Sequence, residues 1–148
     1  MGLLGRLVGG DDAERVGLFV DGPNVLRSEF DVDLDEVREA ATTKGRLVIT
    51  RLYLDEHASP GLIQAAEAHG FEVVTTSGDV DVKLAVDTTA AVADDDLDVL
   101  AIASRDTDFK PVVEAAARRG MHTFAIAPGE YGRSDALRKA AHDAVTLE

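Results

Sequence analysis

Four aspartates at the ends of predicted strands or helices have the clearest capacity for chemistry: Asp21, Asp81, Asp106 and Asp108. Two apolar runs, at 16–20 and 99–103, have the composition of strands buried on both faces of a parallel sheet, and three of the acids follow these runs. The fourth acid falls in the first turn of a helix predicted at 80–93. Because ligands of open α/β sheets lie beyond the carboxyl ends of the strands, we expect the four carboxylates to converge at one edge.

A divalent metal ion is the group that such a cluster would hold. Crowded carboxylates raise one another's pKa unless a cation neutralises them, and Mg²⁺ or Mn²⁺ takes oxygen ligands while keeping several waters. A metal-activated water can attack a phosphodiester while the ion stabilises the leaving oxygen. The pattern therefore predicts a Mg²⁺- or Mn²⁺-dependent hydrolytic site.

Each acid also has a plain structural explanation. Asp21 could bond a backbone N–H in a turn, and Asp106 or Asp108 could cap the helix that follows. Two acids at alternate positions exceed what one cap requires, and a turn alone does not explain an acid at the end of a buried strand, so the metal interpretation is favoured for these three. For Asp81 the two interpretations stay balanced, since an acid in a first turn also complements the helix dipole.

Asp87 lies further along the same predicted helix, roughly 120° around its axis from Asp81. It could support the site from behind the ligands, or it could pair with Lys83 at i, i+4. Both interpretations stay open.

The elements that must position these residues alternate between strand and helix. Strands are predicted at 16–20, 46–54, 71–76, 99–103 and 121–127, with a short edge strand at 145–147. Capping residues mark three of the helix starts: Asp33 or Asp35, Ser59 before Pro60, and Ser134 or Asp135. This order predicts a three-layer α/β/α fold around a mainly parallel sheet of five or six strands. We expect residues 1–15 to form a flexible lead and residues 16–148 a single domain.

Composition narrows the partners and the compartment. The 148 residues carry a formal net charge of −13 and no cysteine, which excludes a disulfide frame and a thiolate zinc site. No apolar run approaches the ~20 residues of a membrane span, so we expect a cytoplasmic protein without membrane contact. The Asp-rich, Lys-poor composition is typical of cells with molar internal salt. It argues against a broad basic surface for nucleic acid, so RNA would have to bind through a local basic patch or through bound metal.

Three motifs, taken in order, resemble the NYN domain. They are D-G-P-N at 21–24, D-V-K-L-A-V-D at 81–87 and S-R-D-T-D-F at 104–109. The chain is similar to the LabA/DUF88 branch of this family, within the PIN-like ribonucleases, and the resemblance extends over nearly all of residues 16–147. It implies a PIN-like fold, an aspartate cluster that binds Mg²⁺ or Mn²⁺, and endonucleolytic cleavage of RNA.

The resemblance also implies roles for single residues. The four aspartates would form the acidic cluster that holds the metal and carries catalysis, Asn24 would orient a substrate or a water, and Ser104 would support the metal loop. Arg105 departs from many family members, which have Gly at this position. It could contact a phosphate, or it could alter the loop and weaken catalysis.

A few further residues could contact a substrate, although ordinary surface positions explain them equally well: Arg27, Lys83, Lys110, Tyr131 and Arg133. The alternative function is a catalytically weak NYN module that binds RNA or a partner protein in a regulatory role. A haloacid-dehalogenase-like phosphatase is excluded, because that family needs a second acid where this chain has Pro23. Apolar side chains within residues 3–8 could support a homodimer.

Overall fold

The computed structural model describes residues 13–26, 33–94, 96–129 and 134–147. These residues form six strands: β1 (Arg15–Asp21), β2 (Arg46–Asp55), β3 (Glu72–Thr76), β4 (Val99–Ala103), β5 (His122–Ala127) and β6 (Asp143–Thr146). Between them lie α1 (Gly22–Val25), α2 (Leu34–Thr42), α3 (Pro60–Ala68), α4 (Val80–Ala93), α5 (Lys110–Arg118) and α6 (Asp135–Ala140), with a 3₁₀ turn at Thr107–Phe109 before α5. Most of the predicted lead, residues 1–12, lies outside the described residues.

The sheet is parallel throughout, and its strand order places the end of β1 beside the end of β4. The order is β3-β2-β1-β4-β5-β6. From β1 the chain builds outward through β2 and β3 on one side, then returns to β4 and builds outward on the other. The winding direction therefore reverses between β1 and β4, and the crevice beyond the carboxyl ends of such a strand pair is the usual ligand position in a doubly wound sheet.

Helices cover both faces of the sheet, because the central strands carry apolar side chains on both. In β1, Leu18 and Val20 pack into one core while Phe19 packs into the other. The first core is closed by α2 and α3, and Val37 of α2 is fully buried there. The second core is closed by α4, α5 and α6, and Leu84 of α4 is fully buried there. Both faces of the crevice strands are thus fixed by packing.

Local sequence sets the helix starts where caps are predicted. Asp33 and Glu36 form a reciprocal capping box at the start of α2. Ser59 and Ser134 each accept a hydrogen bond from a backbone N–H in the first turn of the following helix. The three-layer α/β architecture with a six-stranded parallel sheet confirms the predicted fold class. Within the described part of the chain, no helix combines the length and the apolar composition that a membrane span requires.

Candidate metal centre

Three acids from two separate parts of the chain meet at the crevice between β1 and β4. Asp81, Asp106 and Asp108, called the triad below, each offer one carboxylate oxygen, and these oxygens all lie within 4.8 Å of one another. Asp81 comes from the first turn of α4, while Asp106 and Asp108 come from the loop and the 3₁₀ turn that follow β4. The structure therefore gathers acids that lie far apart in sequence.

Backbone hydrogen bonds orient the triad carboxylates. Asp106 Oδ1 accepts a hydrogen bond of 2.8 Å from the Asp108 N–H, and Asp81 Oδ1 accepts one of 3.0 Å from the Val82 N–H. Asp106 thus performs the capping role that the sequence offers as its structural explanation. Capping and cluster membership are compatible, because one carboxylate oxygen can accept from the backbone while the other faces the cluster.

The donor set fits a hard divalent cation. All three groups offer carboxylate oxygen, which Mg²⁺ and Mn²⁺ prefer. Two ligands on opposite sides of a Mg²⁺ ion lie about 4.2 Å apart, since each Mg–O bond is about 2.1 Å. Oxygens within 4.8 Å of one another can therefore share one ion after small side-chain adjustments. An ion there would also remove the repulsion among three negative charges.

Asp21 lies beside the triad but is not a member of it. Its side chain is only 1% exposed, and its Oδ2 accepts hydrogen bonds from Asn24 Nδ2 at 2.5 Å and from Ser104 Oγ at 3.1 Å. Burial raises the pKa of the Asp21 carboxyl, the two hydrogen bonds lower it, and the negative charge of Asp106 raises it further. Burial is the largest of these effects, so the pKa of the Asp21 carboxyl lies above its ordinary value.

One cavity of about 340 Å³ joins Asp21 to the triad. Asp21, Asn24, Asp81 and Asp106 all line it, whereas Asp108, the exposed member of the triad, is not among its lining residues. Ser104 sits behind the cavity wall, where it donates to Asp21 and accepts a hydrogen bond of 3.0 Å from the Asp106 N–H. Asp21 after β1 and Asp106 after β4 thus line the same cavity, and Ser104 is hydrogen-bonded to both.

Lys83 and Asp87 do not line the cavity at the triad. They form the i, i+4 ion pair, with Lys83 Nζ 3.2 Å from Asp87 Oδ1, and Asp87 Oδ2 also accepts a hydrogen bond of 2.9 Å from the Tyr53 hydroxyl. Both residues line a different cavity of about 480 Å³, between α4 and the β2–β3 side of the sheet, and the two cavities have no lining residue in common. The pairing alternative for Asp87 is therefore the one seen in the structure.

Two further acids, which were not among the residues predicted from the sequence, also line the cavity at the triad. Asp55 is the last residue of β2, the neighbour of β1, and Asp79 stands at the N-cap position of α4 without making a side-chain cap hydrogen bond. The signal for Asp55 was available, because it ends a strand just as Asp21 does. Asp79 carries no comparable signal, because an acid just before a helix is also a common turn residue, and only the folded structure shows that it lines the cavity.

The other predicted substrate contacts divide into two groups. Arg105 lies at the site, where its Nε donates a hydrogen bond of 3.2 Å to Asn24 Oδ1, and Lys110 is an exposed residue at the start of α5. Arg27, Tyr131 and Arg133 lie outside the described residues. Of these two described side chains, Arg105 is the one that donates a hydrogen bond to a residue of the site.

Comparison with known proteins shows the family to which the chain belongs. Residues 15–148 match the model of the NYN domain. The chain is 44% identical over 127 residues to an uncharacterised protein of the archaeon Methanocaldococcus jannaschii, an alignment that covers 86% of this chain and 52% of that protein. The chain thus spans about half the length of the curated relative it matches.

A solved structure shares the fold. It is a protein of unknown function from Vibrio parahaemolyticus, with a TM-score of 0.78 and 22% sequence identity, and the alignment covers 93% of this chain and 95% of that one. At this identity the likeness concerns the architecture alone. The family model, by contrast, matches almost the whole chain, and on that match the protein belongs to the NYN domain family.

Proposed function

We propose that this NYN domain is a metal-dependent endoribonuclease that hydrolyses RNA phosphodiesters at its aspartate cluster. NYN domains belong to a nuclease superfamily with a PIN-like fold. The observation that carries the proposal is the position of the triad, whose oxygens lie within 4.8 Å of one another at the crevice where the sheet reverses its winding. A purely structural role would not require three acids from two chain segments to meet there.

The triad would hold Mg²⁺ or Mn²⁺, and Asp21 would complete the acidic cluster from the cavity wall. When bound, such an ion supplies a Lewis acid for a phosphoryl oxygen and a coordinated water of lowered pKa. Hydrogen bonds within the protein already orient the carboxylates for this chemistry. The Asp108 N–H holds the Asp106 carboxylate, and Asn24 and Ser104 hold the Asp21 carboxylate, so little reorganisation is needed when substrate arrives.

Electrostatics makes the same metal necessary for RNA binding. The chain carries a formal net charge of −13, and the triad cavity is lined by five aspartates. A polyanion approaches such a surface only where cations neutralise it. We therefore expect RNA binding as well as cleavage to depend on divalent metal, with Lys110 as an additional phosphate contact at the exposed side of the triad.

The finer assignments belong to the same proposal. The motifs at 21–24 and 104–109 support membership of the LabA/DUF88 branch, and the Asp-rich composition supports an origin in a salt-accumulating cell. Assays should therefore include molar KCl, because screening is expected to relieve self-repulsion among the surface acids.

The test is a cleavage assay with end-labelled single-stranded and structured RNA, in Mn²⁺, Mg²⁺ or chelator. Wild type is compared with Asp21→Asn, with Asp106→Asn and with Glu39→Gln, which removes one exposed acid on α2 and serves as the charge-matched control. We expect cleavage by wild type and Glu39→Gln only when metal is present, and loss of at least a hundredfold in both site variants.

Cleavage that survives in chelator, or in either site variant, would refute the proposal. RNA binding by a folded, metal-loaded wild type without any cleavage would instead support the catalytically weak, RNA-binding module. Filter binding with the same RNAs separates these outcomes.

A further inference from the structure

A directional chain of hydrogen bonds connects the loop after β4 to the turn after β1. Arg105 Nε donates to Asn24 Oδ1 at 3.2 Å, and Asn24 Nδ2 donates to Asp21 Oδ2 at 2.5 Å. On the other side, the Asp106 N–H donates to Ser104 Oγ at 3.0 Å, and Ser104 Oγ donates to the same Asp21 oxygen at 3.1 Å. Three consecutive residues, 104–106, thus take part in holding one buried carboxylate.

Only one orientation of the Asn24 amide is compatible with these partners. A guanidinium group donates hydrogen bonds and accepts none, and an ionised carboxylate accepts and does not donate. The Asn24 oxygen must therefore face Arg105, and the Asn24 NH₂ must face Asp21. Turning the amide over would set its NH₂ against the Arg105 donor and its oxygen against the Asp21 carboxylate, two repulsive contacts in a site where Asp21 is only 1% exposed.

We propose that Arg105 is a positioning residue of this site: it fixes the Asn24 amide so that its NH₂ stays on Asp21, and so locks the end of β1 to the loop that carries Asp106 and Asp108. This assignment differs from a direct phosphate contact, the role that the sequence alone suggests for a basic residue beside a nuclease site. Its catalytic consequence rests on the proposed nuclease function, while its structural part stands on the hydrogen bonds themselves.

The composition of the chain offers a direct probe of the amide. Asn24 is the only asparagine in the sequence, and Gln64 is the only glutamine. A ¹H–¹⁵N spectrum of the full chain therefore contains two side-chain NH₂ pairs, and the exposed Gln64 on α3 serves as an internal reference. No activity is needed for this measurement.

The experiment compares wild type, Arg105→Met and Arg105→Lys. We expect the Asn24 NH₂ protons of the wild type to be well separated in shift and to exchange slowly with water. In Arg105→Met, which keeps the length of the side chain and removes its donors, they should move toward each other and exchange roughly tenfold faster. Arg105→Lys retains a donor and should recover part of the difference, while Gln64 stays unchanged in every variant. An Asn24 signal that is the same in wild type and Arg105→Met would overturn the proposal.

Kinetics separates positioning from phosphate binding. If Arg105 acts through Asn24, Arg105→Met lowers kcat and leaves KM for RNA unchanged, and it has no additional effect in an Asn24→Ala background. If Arg105 contacts a phosphate, KM rises and the salt dependence of RNA affinity falls by about 0.7 in log–log slope, which would overturn the proposal. Should wild type prove inactive, the nuclease proposal fails on that result alone, and the NMR comparison still decides the role of Arg105.

Discussion

Replacing Asp106 with Asn is expected to change stability in opposite directions with and without divalent metal. Each triad member offers one oxygen within 4.8 Å of the others, and Asp106 takes part in two of the three charge pairs. Its charge also raises the pKa of the buried Asp21 carboxyl. Asn keeps the side-chain oxygen that accepts from the Asp108 N–H, so the substitution removes charge while preserving the cap.

The magnitude follows from Coulomb's law. Two unit charges about 4 Å apart repel by about 1 kcal/mol in a water-like environment. Removing two such pairs should therefore stabilise the metal-free protein by roughly 2 kcal/mol at low salt, which for a chain of this size raises Tm by roughly 4–8 °C. In 1 M salt, where the Debye length is about 3 Å, most of this gain should disappear.

Divalent metal should reverse the order of stability of wild type and Asp106→Asn. A ligand at a thousand times its Kd stabilises the folded state by about 4.1 kcal/mol. If Asp106→Asn no longer binds Mn²⁺, wild type becomes the more stable protein in saturating Mn²⁺ by roughly 2 kcal/mol. The substitution is thus stabilising in chelator and relatively destabilising in metal, a reversal that a simple packing defect does not produce.

The assay is scanning calorimetry at pH 7 in chelator and in a Mn²⁺ series, at low and at molar KCl. Glu39→Gln changes the net charge by the same amount on α2, and its difference from wild type should not depend on metal. A lower Tm for Asp106→Asn in chelator would refute the repulsion argument. An equal Mn²⁺-induced rise in wild type and Asp106→Asn would show that the triad does not share a cation.

Three further predictions concern the fold and its pH dependence. Tyr53→Phe keeps the ring and removes the hydroxyl group that donates to Asp87, so it should lower the free energy of unfolding by about 2 kcal/mol in urea titrations. An unchanged midpoint would mean that water replaces the hydroxyl group at no cost. Leu100→Ala in fully buried β4 should lower that free energy by about 2–5 kcal/mol, and a loss under 1 kcal/mol would contradict the observed close packing. Burial, and next the nearby His142 and Lys44, lower the pKa of His122, so the unfolded chain binds this proton more readily than the folded one. The contribution of neutral His122 to the free energy of unfolding should therefore be fully present above the unfolded pKa of about 6.5 and be lost as the pH falls below it. In urea titrations from pH 8 to 5, His122→Gln should make this decline toward acid pH less steep. An equally steep decline in the variant would show that other groups cause it.

The local elements could be predicted because their causes are local. A strand buried on both faces must be apolar throughout, so β4 was recognisable from its five residues alone. The capping side chains of Asp33, Ser59 and Ser134 act on backbone groups only a few residues away. The order of these elements then limited the topology to a parallel sheet covered by helices on both faces.

The membership of the acidic cluster could not be predicted in the same way, because it depends on the rotation of α4 and the depth of β1. Val80 and Leu84 are buried against the sheet, and this rotation turns Asp81 to the crevice and Asp87 to Tyr53. A sequence shows that the two acids lie on different sides of one helix, but it does not show which side faces the other acids.

What the sequence determined by itself, then, is that acids stand at the ends of buried strands, since apolar runs and their terminators are legible one element at a time. The tertiary structure alone decided that Asp81 joins Asp106 and Asp108 while Asp21 lies behind them, tied to Asn24 and Ser104. The physical reason is that distances between remote segments are set by strand order, register and helix packing. These are properties of the whole folded core and are not written in any single stretch of the chain.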